Sequence, residues 1–192
     1  MWQFLVSLFG LEDTSSFSSS LHPTFVSTAK TFYPNAPSLW TPTTLRDGKV
    51  HYLLASDTDE MRPLVKERLV HLSTMCDRVW HILETKYPKR KETVNLRRCL
   101  APTDGISRIA QKPVGGYDVR AYAHNEWIFI ELPTFASVET GADGININES
   151  QRRKTLTDII LHELAHVAGY WDHDASHTKT VDWLKSILAT KT

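Results

Sequence analysis

At 192 residues the chain suits one domain with room for a proper core, and its 41% hydrophobic and 23% charged content is that of an ordinary globular protein. Lys+Arg and Asp+Glu both number 22, so formal net charge is zero, which argues against a partner held by bulk electrostatics such as nucleic acid. The two cysteines, Cys76 and Cys99, are too few for a disulfide framework and fit a reducing compartment.

The opening run MWQFLVSLFGL (1–11) is apolar but too short to span a bilayer, and it lacks the basic region of a secretory signal. It is expected to pack on the domain or lie loose, with anchoring at a membrane surface as the minority reading. Residues 12–48 are rich in Ser, Thr and Pro, and Pro34, Pro37 and Pro42 predict an irregular, partly ordered lead-in. Residues 1–48 are thus set apart from a folded domain over 49–192.

KVHYLLA (49–55) predicts a short strand ending at the turn-forming SDTD. From Glu60 to Tyr87 the apolar residues recur at three- and four-residue steps, as in an amphipathic helix. Pro63 falls near its start, where a missing N–H costs little, and Pro88 marks its end. The basic run between Lys86 and Arg98 reads as a solvated helix face, since no aromatic residues are interleaved beyond Tyr87 for stacking on bases. GYDVRAYAHNEWIFIEL (116–132) predicts a hairpin turning at His124-Asn125, with Trp127–Leu132 as its second strand. A Gly-, Asn- and Asp-rich loop follows over 139–150. A helix then begins near Ser150 or Gln151 and runs to Gly169, its C-cap.

That helix carries the chemistry. His162-Glu163-Leu164-Ala165-His166 is an HExxH pattern, and residues four apart share one helix face, so both imidazoles can bind one zinc ion. Glu163 stands beside the metal, where a general base must be to take a proton from zinc-bound water. The helix is apolar nearly all round and should be buried, and buried histidines and a glutamate need a compensating partner such as zinc. The plain alternative is a pair of core histidines bonded to backbone.

A catalytic zinc takes a third protein ligand. No glutamate follows Glu163, which leaves Asp172, His173, Asp174 and His177 within reach. His173 ranks first, because it returns over the metal after the turn at Gly169, with Asp174 capping the next helix. His177 ranks second, one turn into that helix, as ligand, outer donor or oxyanion stabiliser. Asp172 ranks third: HELAHVAGYWD has the metzincin spacing, but the methionines at 1, 61 and 75 leave no methionine turn. Tyr122, His124, Tyr170 and His177 are the candidate oxyanion donors.

The order of a long helix ending in YP, a hairpin, ILHELAH, a later histidine and VDWL resembles the minimal zinc metallopeptidases of the WLM and SprT/Spartan type. It looks closest to the small metallopeptidase-like proteins of large DNA viruses. The resemblance spans about residues 50–190, with only HELAH specific, and the interval from His166 to His173 is one residue longer than in the WLM pattern. It implies an α+β zincin-like fold, the HExxH helix packed on a long helix with a small β-sheet. It also implies a zinc-dependent endopeptidase acting on a protein or peptide substrate. By the same analogy, Trp127–Leu132 would border the cleft and pair with an extended peptide. Two alternatives accompany this reading: a non-catalytic zinc- or peptide-binding module, and a protease acting on DNA-associated proteins.

Overall fold

The computed structural model describes residues 21–113, 120–132 and 149–190. The apolar start (1–11), the first part of the expected hairpin (116–119) and most of the loop over 139–150 lie outside them. The fold is mixed α+β, with five helices and two small sheets among the described residues. In chain order the elements are α1 (Pro23–Phe32), a 3-10 turn (Ala36–Ser38), β1 (Trp40–Thr44), β2 (Val50–Leu54), α2 (Arg62–Lys86) and α3 (Lys91–Leu100). Then come β3 (Ile109–Gln111), β4 (Ala121–His124), β5 (Trp127–Ile130), α4 (Glu149–Val167) and α5 (Ala175–Ala189).

The expected partly ordered lead-in contains, from Pro23 onward, a helix, a 3-10 turn and a strand. Pro23 opens α1, where its missing N–H removes nothing the helix would use, and His22 caps the turn by accepting from the Thr24 N–H. Pro42 sits in β1, paired opposite Tyr52. Among the described residues β1 has β2 as its one neighbour, so the proline can leave a vacant donor on the outer edge. The β1–β2 ladder pairs Trp40 with Leu54 through to Thr44 with Val50, and so crosses the boundary expected at residue 48.

β5 is the centre of the second sheet, parallel to β3 and antiparallel to β4. All four of its residues are buried, and they alternate between two cores as a strand's period of two requires. Trp127 and Phe129 enter an aromatic core with Phe25, Trp40, Tyr52 and Tyr122. Ile128 and Ile130 enter an aliphatic core formed with α2, α3, α4 and α5. Gln111 ties the hairpin to the sheet: its carbonyl accepts from Trp40 Nε1 at 2.8 Å and its side-chain oxygen from Leu54 N–H at 2.9 Å.

This strand order corrects the expectation that Trp127–Leu132 borders the cleft. With both edges paired, β5 has no backbone groups to offer; among the described residues β3 and β4 are the edges, and it is β4 that packs against α4. The hairpin itself forms one residue later than expected, turning at Asn125-Glu126, with Asn125 in the left-handed region at φ 55°. The long helix and the C-terminal pair of helices lie where the periodicity put them. The basic side chains of Lys86, Lys89, Arg90, Lys91, Arg97 and Arg98 are exposed, as a solvated face should be. Cys76 and Cys99 are buried and free. Among the described residues no helix is long and apolar enough to cross a membrane.

Phe25 is fully buried, with its ring centroid 4.2 Å from that of Tyr52, 4.9 Å from Trp127 and 5.1 Å from Trp40. Phe25→Ala is expected to cost about 3–5 kcal/mol of stability. A denaturant titration showing less than about 1 kcal/mol would mean that α1 is not part of the folded unit.

Candidate metal centre

From Ile160 to Ala168 every residue of α4 and its end is buried except His162, which is half-buried. The helix stops at a Schellman turn. Gly169 adopts φ 107°, its N–H donates to the His166 carbonyl at 2.9 Å, and the Tyr170 N–H donates to the Ala165 carbonyl at 3.1 Å. The chain then reverses, and Asp174 caps α5 by accepting from the N–H groups of Ser176 and His177 at 2.8 and 2.9 Å.

This helix–turn–helix brings His162, His166, His173 and His177 together. Every pair of their ring centroids lies 4.4–5.1 Å apart. One ligand nitrogen from each lies within 4.8 Å of the other three, a group that can hold a metal ion. The Nε2 atoms of His162 and His173 are 3.0 Å apart.

The rings are prepared for that role. His166 donates its Nδ1 proton to the Tyr170 carbonyl at 2.8 Å, which leaves Nε2 as the nitrogen with a free lone pair. The His177 ring hydrogen-bonds to the His162 backbone, and its Nε2 is buried with no partner. A buried imidazole nitrogen of this kind costs stability unless something fills its lone pair. Burial and mutual repulsion also favour the neutral forms of His162, His166 and His177. His162 is pushed down to about 4, first by desolvation and then by the other three rings. Burial lowers His166 and His177 as well, against hydrogen bonds that favour their charged forms. Neutral imidazole is the form that binds metal.

Glu163 is 5% exposed and is hydrogen-bonded to the backbone of Ala123 on β4. Desolvation pushes its pKa up to about 7 despite that bond.

The other expected residues lie elsewhere. Asp172 is exposed and outside the group of four. Tyr122 and His124 alternate with Ala121 and Ala123 along β4, so they face the aromatic layer: Tyr122 stacks on Phe129 at 5.0 Å and His124 meets Phe32 at 5.2 Å. Ala121 and Ala123 take the face toward α4. The Tyr170 hydroxyl donates to Glu92 at 2.7 Å, so its contribution is the carbonyl that orients His166.

Two residues of α3 without an expected role hold the turn. Glu92 receives the Tyr170 hydroxyl and pairs with Arg90, and Asn95 donates to the Ala168 carbonyl at 2.7 Å. Glu92 is the lone acid between Lys86 and Arg98, which was its signal in the sequence. A backbone partner such as Ala123 leaves no signal at all.

Comparison with family models, with curated proteins and with solved structures gives no match to this chain.

The shifts set the pH behaviour of the metal-free protein. His162, His166 and His177 hold protons less tightly folded than at their ordinary value of 6.5, so their contribution is lost as pH falls from about 6.5 toward 4. Glu163 holds its proton more tightly folded, so its burial costs progressively more as pH rises from 4.5 to about 7. Metal-free Glu163→Gln should therefore match wild type near pH 4.5 and gain on it up to about pH 7, by roughly 3 kcal/mol at most. Denaturation midpoints at several pH values check this, and a pH-independent difference would place the Glu163 carboxyl in water.

Proposed function

We propose that the protein is a zinc-dependent metallopeptidase of zincin type, with Glu163 as general base. The observation that carries this reading is the position of Glu163: a buried carboxyl of raised pKa, adjacent in sequence to one metal-competent histidine and hydrogen-bonded to an edge strand. A purely structural metal site has no use for such a group.

The residues fit zinc. Four imidazoles without a carboxylate favour zinc, copper or nickel over magnesium or calcium. Zn–N bonds of about 2.0–2.1 Å put tetrahedral ligand nitrogens about 3.3 Å apart; here the His162 and His173 Nε2 atoms are 3.0 Å apart and the four ligand atoms lie within 4.8 Å of one another. Bound there, zinc would polarise the scissile carbonyl and acidify the attacking water.

The chain's own residues supply the rest. Glu163, poised near neutrality, takes a proton from water as the new C–O bond forms. It delivers that proton to the amine nitrogen as the C–N bond breaks. β4 can align the substrate. The Glu131 N–H bonds to the Arg120 carbonyl, so Arg120, Tyr122 and His124 pair with β5 and the backbone groups of Ala121 and Ala123 point outward. An extended peptide adding to this edge would have its backbone beside Glu163.

One observation favours a second reading. Four imidazoles converge rather than three, and four protein ligands close a zinc site against water. On that reading the protein is a metal-holding module without hydrolytic activity.

Glu163→Gln separates the two. The variant should keep one zinc per chain while losing about 100-fold or more of the peptide hydrolysis shown by zinc-loaded wild type. Wild-type activity in the variant would remove Glu163 from the chemistry. Zinc bound in both proteins, with no cleavage of any unstructured protein by either, would select the metal-holding module.

A further inference from the structure

Three of the four imidazoles are built into the fold, and one is not. His162 and His166 stand on α4, and His166 is oriented by the Tyr170 carbonyl. His177 is 3% exposed, its own N–H is held by the Asp174 cap, and its ring leans on the His162 backbone. It has nowhere to go: turning it away would carry a buried polar ring through the core.

His173 differs in each respect. It stands on the connection between α4 and α5, and it is exposed, as are its neighbours Trp171 and Asp172. Its one hydrogen-bond partner among the described residues is the His162 ring. Yet its Nε2 belongs to the group of four. An exposed imidazole that leaves the cluster passes into water, and its hydration offsets the lost contacts.

The same two facts meet at a contradiction. A metal held by all four rings has no position open to water, while a buried general base beside a closed site has nothing to act on. We propose that His173 is an exchangeable fourth ligand. It fills the open position in the resting protein and leaves when a substrate strand enters, while His162, His166 and His177 stay as the permanent set. The substrate half of this statement rests on the metallopeptidase reading; the exchange of ligands does not.

The test uses the full chain loaded with Co2+, whose visible spectrum reports coordination, and azide as a small competitor for an open position. His173→Ala should still bind one Co2+ per chain. If His173 fills the position more than nine-tenths of the time, its removal should tighten azide binding about tenfold or more. Hydrolysis of an unstructured protein should rise in the same variant. His177→Ala should lose Co2+, with His177→Gln tested beside it because the position is buried. Loss of Co2+ from His173→Ala equal to that from His166→Ala would overturn the proposal, as would equal azide affinity in wild type and His173→Ala. Tighter azide binding without hydrolysis by either protein would keep the exchange and reject the metallopeptidase.

Discussion

The bond from His166 Nδ1 to the Tyr170 carbonyl is the point on which the site turns. It exists because the chain reverses at Gly169, whose φ of 107° is a conformation that side chains resist. The reversal presents the carbonyl of Tyr170 back to the helix it has just left. One backbone oxygen thereby selects the tautomer of a metal-competent ring, and the same reversal brings α5 back against α4 so that His177 arrives beside His162. A Cβ at position 169 would lie 3.2 Å from Asn95 Nδ2, the group that holds the Ala168 carbonyl, so α3 closes around this turn as well.

The site is an investment against folding. Three imidazoles whose protonated forms burial disfavours and one carboxyl of raised pKa stand in or beside an otherwise aliphatic core. None of these groups improves packing, and leucines would serve a core better. A cation able to satisfy several lone pairs at once would compensate. The aromatic layer on the far side of the sheet supplies the stability that this arrangement gives up: Phe25, Trp40, Tyr52, Trp127 and Phe129 pack with centroid separations of 4.2–6.1 Å.

Much of the metal centre was legible because it is local. The i, i+4 spacing of His162 and His166, the glycine at 169 and the Asp174 cap each act within a few residues, and periodicity alone reveals them. Strand order was not legible, because nothing in WIFI says whether it has neighbours on one side or two. The parity of β4 did announce that Tyr122 and His124 share a face; only its packing on α4 shows that the alanines own the site's side. Pro42 read as a breaker, since a strand edge tolerates the same residue that an element's interior rejects. The convergence of four histidines, where three were sought, depends on how tightly the turn closes.

The locality of this site bears on how the protein reaches its folded state. All four histidines come from a stretch of sixteen residues in one helical hairpin, whereas the aromatic layer joins Phe25 to Trp127 across about a hundred positions of chain. Contacts close in sequence form with little loop entropy to overcome, and those a hundred residues apart come late. A hairpin whose imidazoles meet early could take up a metal ion before the sheet has docked. Metal would then act as a nucleus for the C-terminal helices, and its supply would govern the rate of folding as well as the finished stability.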